Sequence, residues 1–137
     1  MNKKLLNLHE EQSISENEEV VKKVAYWRKA NQIHNWFIEN VQDGCDDCDA
    51  YEVNQNQLLE LLDVCKKVVT HSILLGNEIK DCSVAKKLLP TLSGFFFGDT
   101  DYNQWYLQNV QLTIDKLEKI LDTTDFEKQI IFYTSSW

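Results

Sequence analysis

At 137 residues, with 43% apolar side chains and a single proline, the chain has the size and composition of one folded domain, not of a disordered segment. Its net charge of −8 would repel a phosphate backbone, which argues against direct binding of nucleic acid; it either keeps the domain in solution, the simpler reading, or suits a basic protein partner. No apolar run approaches the roughly 20 residues of a membrane helix, and Leu5–Leu6 is cut off by Asn7, His9, Glu10 and Glu11, unlike a signal peptide; a soluble, cytoplasmic protein is expected.

Residues 1–14 are polar and weakly patterned, and read as a flexible N-terminal arm preceding a single helical domain over 15–137. Ser15 and Glu18 have the spacing of a capping box, predicting a first long helix that runs to about Val41. Tyr26, Ala30, Ile33 and Phe37 form its apolar stripe, with Trp27, Asn31, His34 and Ile38 along the adjacent edge. The segment Gln42–Asp49 breaks the helix at Gly44. Asn54 with Gln57 predicts a second start, and Leu58, Leu61, Leu62, Cys65, Val68, Val69 and Ser72 recur at helical spacing up to Leu75, before a stop at Gly76-Asn77. A short helix over 83–89 ends at Pro90. Asp101 is the expected cap of a third long helix with Tyr106, Val110, Ile114, Leu117 and Leu121 inside. Residues 128–134 read either as a further helical turn or as a strand, since Ile130, Ile131, Phe132 and Tyr133 suit a sheet. The fold class is therefore mainly α: a compact helical domain of three long helices plus short ones. A small two-stranded β-ribbon, pairing Gly94–Gly98 with the C-terminal segment, is the open addition.

Candidate chemistry concentrates on the first helix. Trp27, Asn31 and His34 share one edge, where an indole can stack on a base while an amide and an imidazole read its polar rim; Arg28 is placed to hold a phosphate. The competing reading is that Trp27 completes the core and His34 makes an ordinary hydrogen bond. Phe95, Phe96 and Phe97 cannot all face one way in an extended chain, so one ring, taken as Phe96, is expected to point into the same site. Trp137 is expected to dock and to bring Ser135 and Ser136 to that polar pocket. Asp43, Asp46, Asp47 and Asp49 form an acidic loop, read as a solvated surface or as a contact for a basic partner; its spacing does not fit the helix–loop–helix calcium pattern. Cys45 and Cys48 have the spacing of half a zinc site, but no second close pair completes it, so reduced cysteines with no metal and no cofactor are expected. No nucleophile neighbours His34 in sequence, and no paired carboxylates stand out.

Three segments taken together carry a resemblance. They are Tyr26-Trp27-Arg28-Lys29-Ala30-Asn31 with Ile33-His34 and Trp36-Phe37; Leu88-Leu89-Pro90-Thr91 with Gly94-Phe95-Phe96-Phe97-Gly98; and Tyr133 with the terminal Ser135-Ser136-Trp137. The chain resembles, over about 24–137, a group of small proteins encoded in phage and prophage genomes. That resemblance implies a phage accessory protein, such proteins often acting against host defences, and brings no mechanism with it. The expected function is non-enzymatic, stoichiometric binding in the cytoplasm of an infected bacterium. It would act either by sequestering a nucleotide-like signal or by occluding a host defence protein such as a nucleic-acid-guided nuclease. A small enzyme using His34 as acid–base and a zinc-binding adaptor are the alternatives, and a homo-oligomer stays open.

Overall fold

The computed structural model describes residues 2–7, 15–16, 19–27, 30–47, 49–92 and 100–134, and side chains from Val24 onward. Among them the fold is helix-rich, with four helices, and mixed rather than purely helical. Strands β1 (Asn2–Asn7), β2 (Ser15–Glu16), β3 (Glu19–Tyr26), β4 (Tyr51–Val53) and β7 (Gln129–Thr134) form one sheet in the order β2-β3-β1-β7-β4. A two-stranded hairpin, β5 (Leu74–Leu75) and β6 (Glu78–Ile79), stands apart. The helices are α1 (Asn31–Asn40), α2 (Gln55–Thr70), α3 (Ser83–Leu88) and α4 (Gln104–Thr123).

The N-terminal third departs most from expectation. Residues 2–7, placed in the expected arm, are the centre of the sheet: β1 runs parallel to β3 on one side and to β7 on the other, with Leu6 opposite Ala25 and Tyr133. The expected helix over 15–41 is divided. Ser15 belongs to β2 and caps no helix, and Glu19–Tyr26 is a strand. The physical reason lies in the valines at 20, 21 and 24, a β-branched residue type that loses rotamer freedom in a helix and favours strands. Only Asn31–Asn40 is helical. The alternative reading of 128–134 as a strand is the one realised. Its neighbours are β1, in parallel, and β4, antiparallel with Val53 opposite Ile131. The expected partner at Phe95–Phe97 lies outside the described residues. Along β7, Ile131 and Tyr133 are buried at alternate positions, the period of a strand with one face on the core.

Downstream, local signals agree better with the structure. Asn54 and Gln57 close a reciprocal capping box: the Gln57 amide N–H donates to Asn54 Oδ1 at 2.8 Å and the Asn54 N–H to Gln57 Oε1 at 2.9 Å. Leu58, Leu61, Cys65 and Val68 are the buried face of α2, which packs on α4. The helix ends at Thr70, not at Leu75. Gly76, at φ +65°, and Asn77 make the two-residue turn of the hairpin, with Leu75 opposite Glu78. Helix α4 is capped by Asn103, whose Oδ1 accepts from the Trp105 and Tyr106 amides, and not by Asp101. Its buried line is Tyr106, Leu107, Val110, Thr113, Leu117 and Ile120, while Ile114 and Leu121 are partly buried against it. Among the described residues, no helix is long and apolar enough to cross a membrane.

Helix α1 occupies the middle of this arrangement. Seven of its ten residues are buried, including Asn31, Gln32 and His34. A helix enclosed on more than one side must find partners inside the protein for every polar group it carries. That requirement shapes the site.

Candidate functional site

Each buried polar side chain of α1 is bonded internally. Asn31 is 1% exposed, and its Oδ1 accepts from the Leu92 amide at 3.0 Å, fixing the chain just after α3. Gln32 Nε2 donates to the Tyr106 carbonyl at 3.2 Å, and the Tyr106 hydroxyl donates to the Leu89 carbonyl at 2.6 Å. His34 is completely buried between two elements: Nδ1 lies 2.6 Å from the Tyr133 hydroxyl on β7, and Nε2 lies 3.0 Å from Asp46 Oδ1 in the loop after α1. With Nε2 protonated, that nitrogen donates to the carboxylate while Nδ1 accepts from the tyrosine. Tyr133 stacks on Phe37 at 3.9 Å between ring centroids, and Trp36 and Trp27 meet the Phe37 ring edge-on.

Trp27 is buried as well. Its indole N–H donates to Thr113 Oγ1 at 2.8 Å, and the Lys116 ammonium lies 5.2 Å from the ring centroid while bonding the Tyr26 carbonyl. Partial burial holds the Lys116 pKa below that of an ordinary lysine. Trp27, in the chain before α1, and Asn31 and His34 on it all have polar atoms engaged with the protein's own groups. Arg28, Phe96, Ser135, Ser136 and Trp137 lie outside the described residues. An Asp–His–Tyr chain has the form of a proton relay. Tyr133 is completely buried, however, so in this conformation the chain ties α1, the loop and β7 together.

The acidic loop is likewise partly inward. Asp46 serves His34, a correction to its reading as a surface contact. Asp47 organises the loop: it accepts from the Tyr51 hydroxyl at 2.7 Å, from the Asp49 amide at 3.1 Å and from the Cys45 thiol at 3.3 Å. These bonds, the one from Tyr51 foremost, hold its carboxyl below the usual range. Asp43, Asp47 and Asp49 are exposed. The same hydrogen bond to Asp47 raises the Cys45 thiol pKa and disfavours the thiolate that zinc would require. Cys48 is outside the described residues, and no metal-binding group of three or more ligands occurs among those described.

What the sequence reading missed is on the flank of α4 beside its buried line. Trp105 is 63% exposed, beside an outward hairpin in which Ile73 is 68%, Leu74 41% and Leu75 71% exposed. The hairpin is fastened there by backbone bonds, from the Gln104 amide to the Asn77 carbonyl at 2.9 Å and from the Ile79 amide to the Tyr102 carbonyl at 3.2 Å. Leu74, Leu107 and Trp105 line a shallow groove of about 270 Å³ along α4. A second cavity, of about 460 Å³, opens on the other side of Trp105, against Glu78, Asp101 and Tyr102. A signal was available: Trp105 is one residue, about 100°, from Tyr106 on the helix, so a wheel that puts Tyr106 inside turns Trp105 out. An expected helix that runs on to Leu75 takes in residues 73–75 and hides the hairpin.

No family model matches the chain, and no curated protein and no solved structure matches it either.

Proposed function

We propose that the chain is a non-enzymatic accessory protein that acts by stoichiometric binding to a basic protein partner. The phage setting and the counter-defence role rest on the resemblance of its motifs, and the partner in that reading is a host defence protein in the bacterial cytoplasm. The observation that carries the binding mode is Trp105: an indole mostly in solvent, with the exposed Leu74 side chain across a groove. Isolated surface apolar residues are ordinary, whereas a cluster of them around a tryptophan, on a backbone frame already hydrogen-bonded, is what protein interfaces use as an anchor. The charge of −8 supplies complementarity to a nucleic-acid-binding surface and speeds encounter. Sequestration of a nucleotide-like signal is disfavoured because Trp27, Asn31 and His34 are bonded inside the protein.

The test is protection of a phage in bacteria that carry a single defined defence system and express the chain. The parent protein should raise plating efficiency in at least one such strain, and Trp105→Ala should abolish the effect while leaving the protein's abundance and melting temperature unchanged. A tryptophan anchor of this kind is worth about 2 kcal/mol or more, roughly thirtyfold in affinity. Full protection by Trp105→Ala, or stabilisation of the purified chain by nucleotides, refutes the reading.

A further inference from the structure

The cavity of about 460 Å³ beside Trp105 has a chemistry of its own. It is bounded by two rings, Tyr102 and Trp105, and by two carboxylates, Glu78 and Asp101, with amides contributed by Asn77 and Gln104. Among the described residues, no lysine, arginine or histidine lines it. The cation nearest in kind is Lys86, which lies 5.5 Å from the Tyr102 ring centroid, so this ring already accepts a positive charge from within the protein. The walls are set by backbone bonds and by the Asn103 cap. Glu78 forms no ion pair among the described residues.

From this we infer that the cavity receives an arginine side chain of the partner, its guanidinium against the Trp105 indole and paired with Glu78, while a neighbouring apolar side chain of the same segment enters the Leu74–Leu107 groove. The inference rests on the proposed binding face and names what it recognises. Aromatic faces attract cations through the ring quadrupole, and carboxylates beside them give direction. A guanidinium suits the site better than an ammonium because it is flat, stacks on an indole and sheds water more readily. The two hollows flank one tryptophan, so a short extended segment with adjacent apolar and arginine residues would span them. The surface of a protein that grips nucleic acid offers such arginines.

The inference is tested with three short peptides, acetyl-Leu-Arg-amide, acetyl-Leu-Lys-amide and acetyl-Leu-Glu-amide, titrated into the full-length chain and followed by two-dimensional NMR. The arginine peptide should shift the Trp105 indole signal and the amides of 77–79 and 101–105 saturably. Its affinity should be in the millimolar range expected of so small a ligand. It should weaken several-fold in Glu78→Gln and disappear in Trp105→Ala, with melting temperatures unchanged in both. The lysine peptide should bind several-fold more weakly and the glutamate peptide not at all. A response of the same size from the glutamate or lysine peptide, or an undiminished affinity in Glu78→Gln, overturns the inference. Loss of phage protection in Trp105→Ala without an arginine response overturns this inference alone. An arginine response alongside full protection in Trp105→Ala overturns the proposed function instead.

Discussion

Removing one oxygen atom from Tyr133 separates the structural and chemical readings of His34. In Tyr133→Phe the ring keeps its stack on Phe37 at 3.9 Å, because the hydroxyl takes no part in that contact. What is lost is the 2.6 Å bond to His34 Nδ1, at a histidine with 0% exposure, where water cannot replace it. A net buried hydrogen bond contributes about 1 kcal/mol, and desolvation of the abandoned partner brings the loss to about 1–3 kcal/mol. For a domain of this size that is a fall in melting temperature of roughly 4–12 °C. His34→Ala should cost more, since it also abandons Asp46 and leaves a cavity. In the double variant the losses should fall short of additivity by about 0.5–3 kcal/mol, the signature of side chains in direct contact. The assay is urea denaturation followed by circular dichroism, with calorimetry for the midpoints. A Tyr133→Phe protein that melts within about 1 °C of the parent, or strict additivity in the cycle, refutes the account of His34 as a link between α1 and β7.

Thr113→Val removes the acceptor of the Trp27 indole N–H at almost constant volume, and should destabilise by about 1–2 kcal/mol in the same denaturation assay. Asp47 has a folded-state pKa below the ordinary 3.8, so it contributes stability that is complete above the unfolded value and is lost as pH falls through the folded one. Melting temperature measured between pH 6 and about 2.5 should therefore decline less steeply at its acid end in Asp47→Asn than in the parent. Tyr51, raised above 10.0 by the same hydrogen bond, contributes in the opposite sense. Its share is present below the unfolded value and is lost as pH rises through the folded one, so its phenolate absorbance should emerge later than that of a free tyrosine.

The parts of the fold that were legible in the sequence are those whose causes are local. The Asn54–Gln57 box closes within four residues, and Leu58, Leu61, Cys65 and Val68 on α2, like Tyr106, Val110 and Leu117 on α4, carry their period in consecutive turns. The sheet was not legible because its causes are distant: β1 owes its place to Val21–Tyr26 and to Gln129–Thr134, at the other end of the chain. The valines of β3 did carry a strand signal, which the apolar stripe from Tyr26 to Phe37 outweighed once the two were read as one helix. The Gly76-Asn77 pair reads as a helix stop because Leu74 and Leu75 follow directly on α2 as apolar residues, although the helix ends at Thr70. At the candidate site, the expectation that Trp27, Asn31 and His34 offer a polar rim to a ligand gives way to internal bonding, for a plain physical reason. A helical wheel turns polar side chains outward by default, and burial of α1 on more than one side is a property of the packed molecule.

The proposed division between an interior held by His34 and a binding face at Trp105 is tested most directly by hydrogen–deuterium exchange. The chain would be measured alone and in complex with whichever partner the proposed protection assay identifies. The account predicts added protection over residues 73–79 and 101–108, with little change at 31–47. Protection centred on the loop at Asp43–Asp49 and on α1, with the hairpin and the start of α4 unaffected, would contradict it.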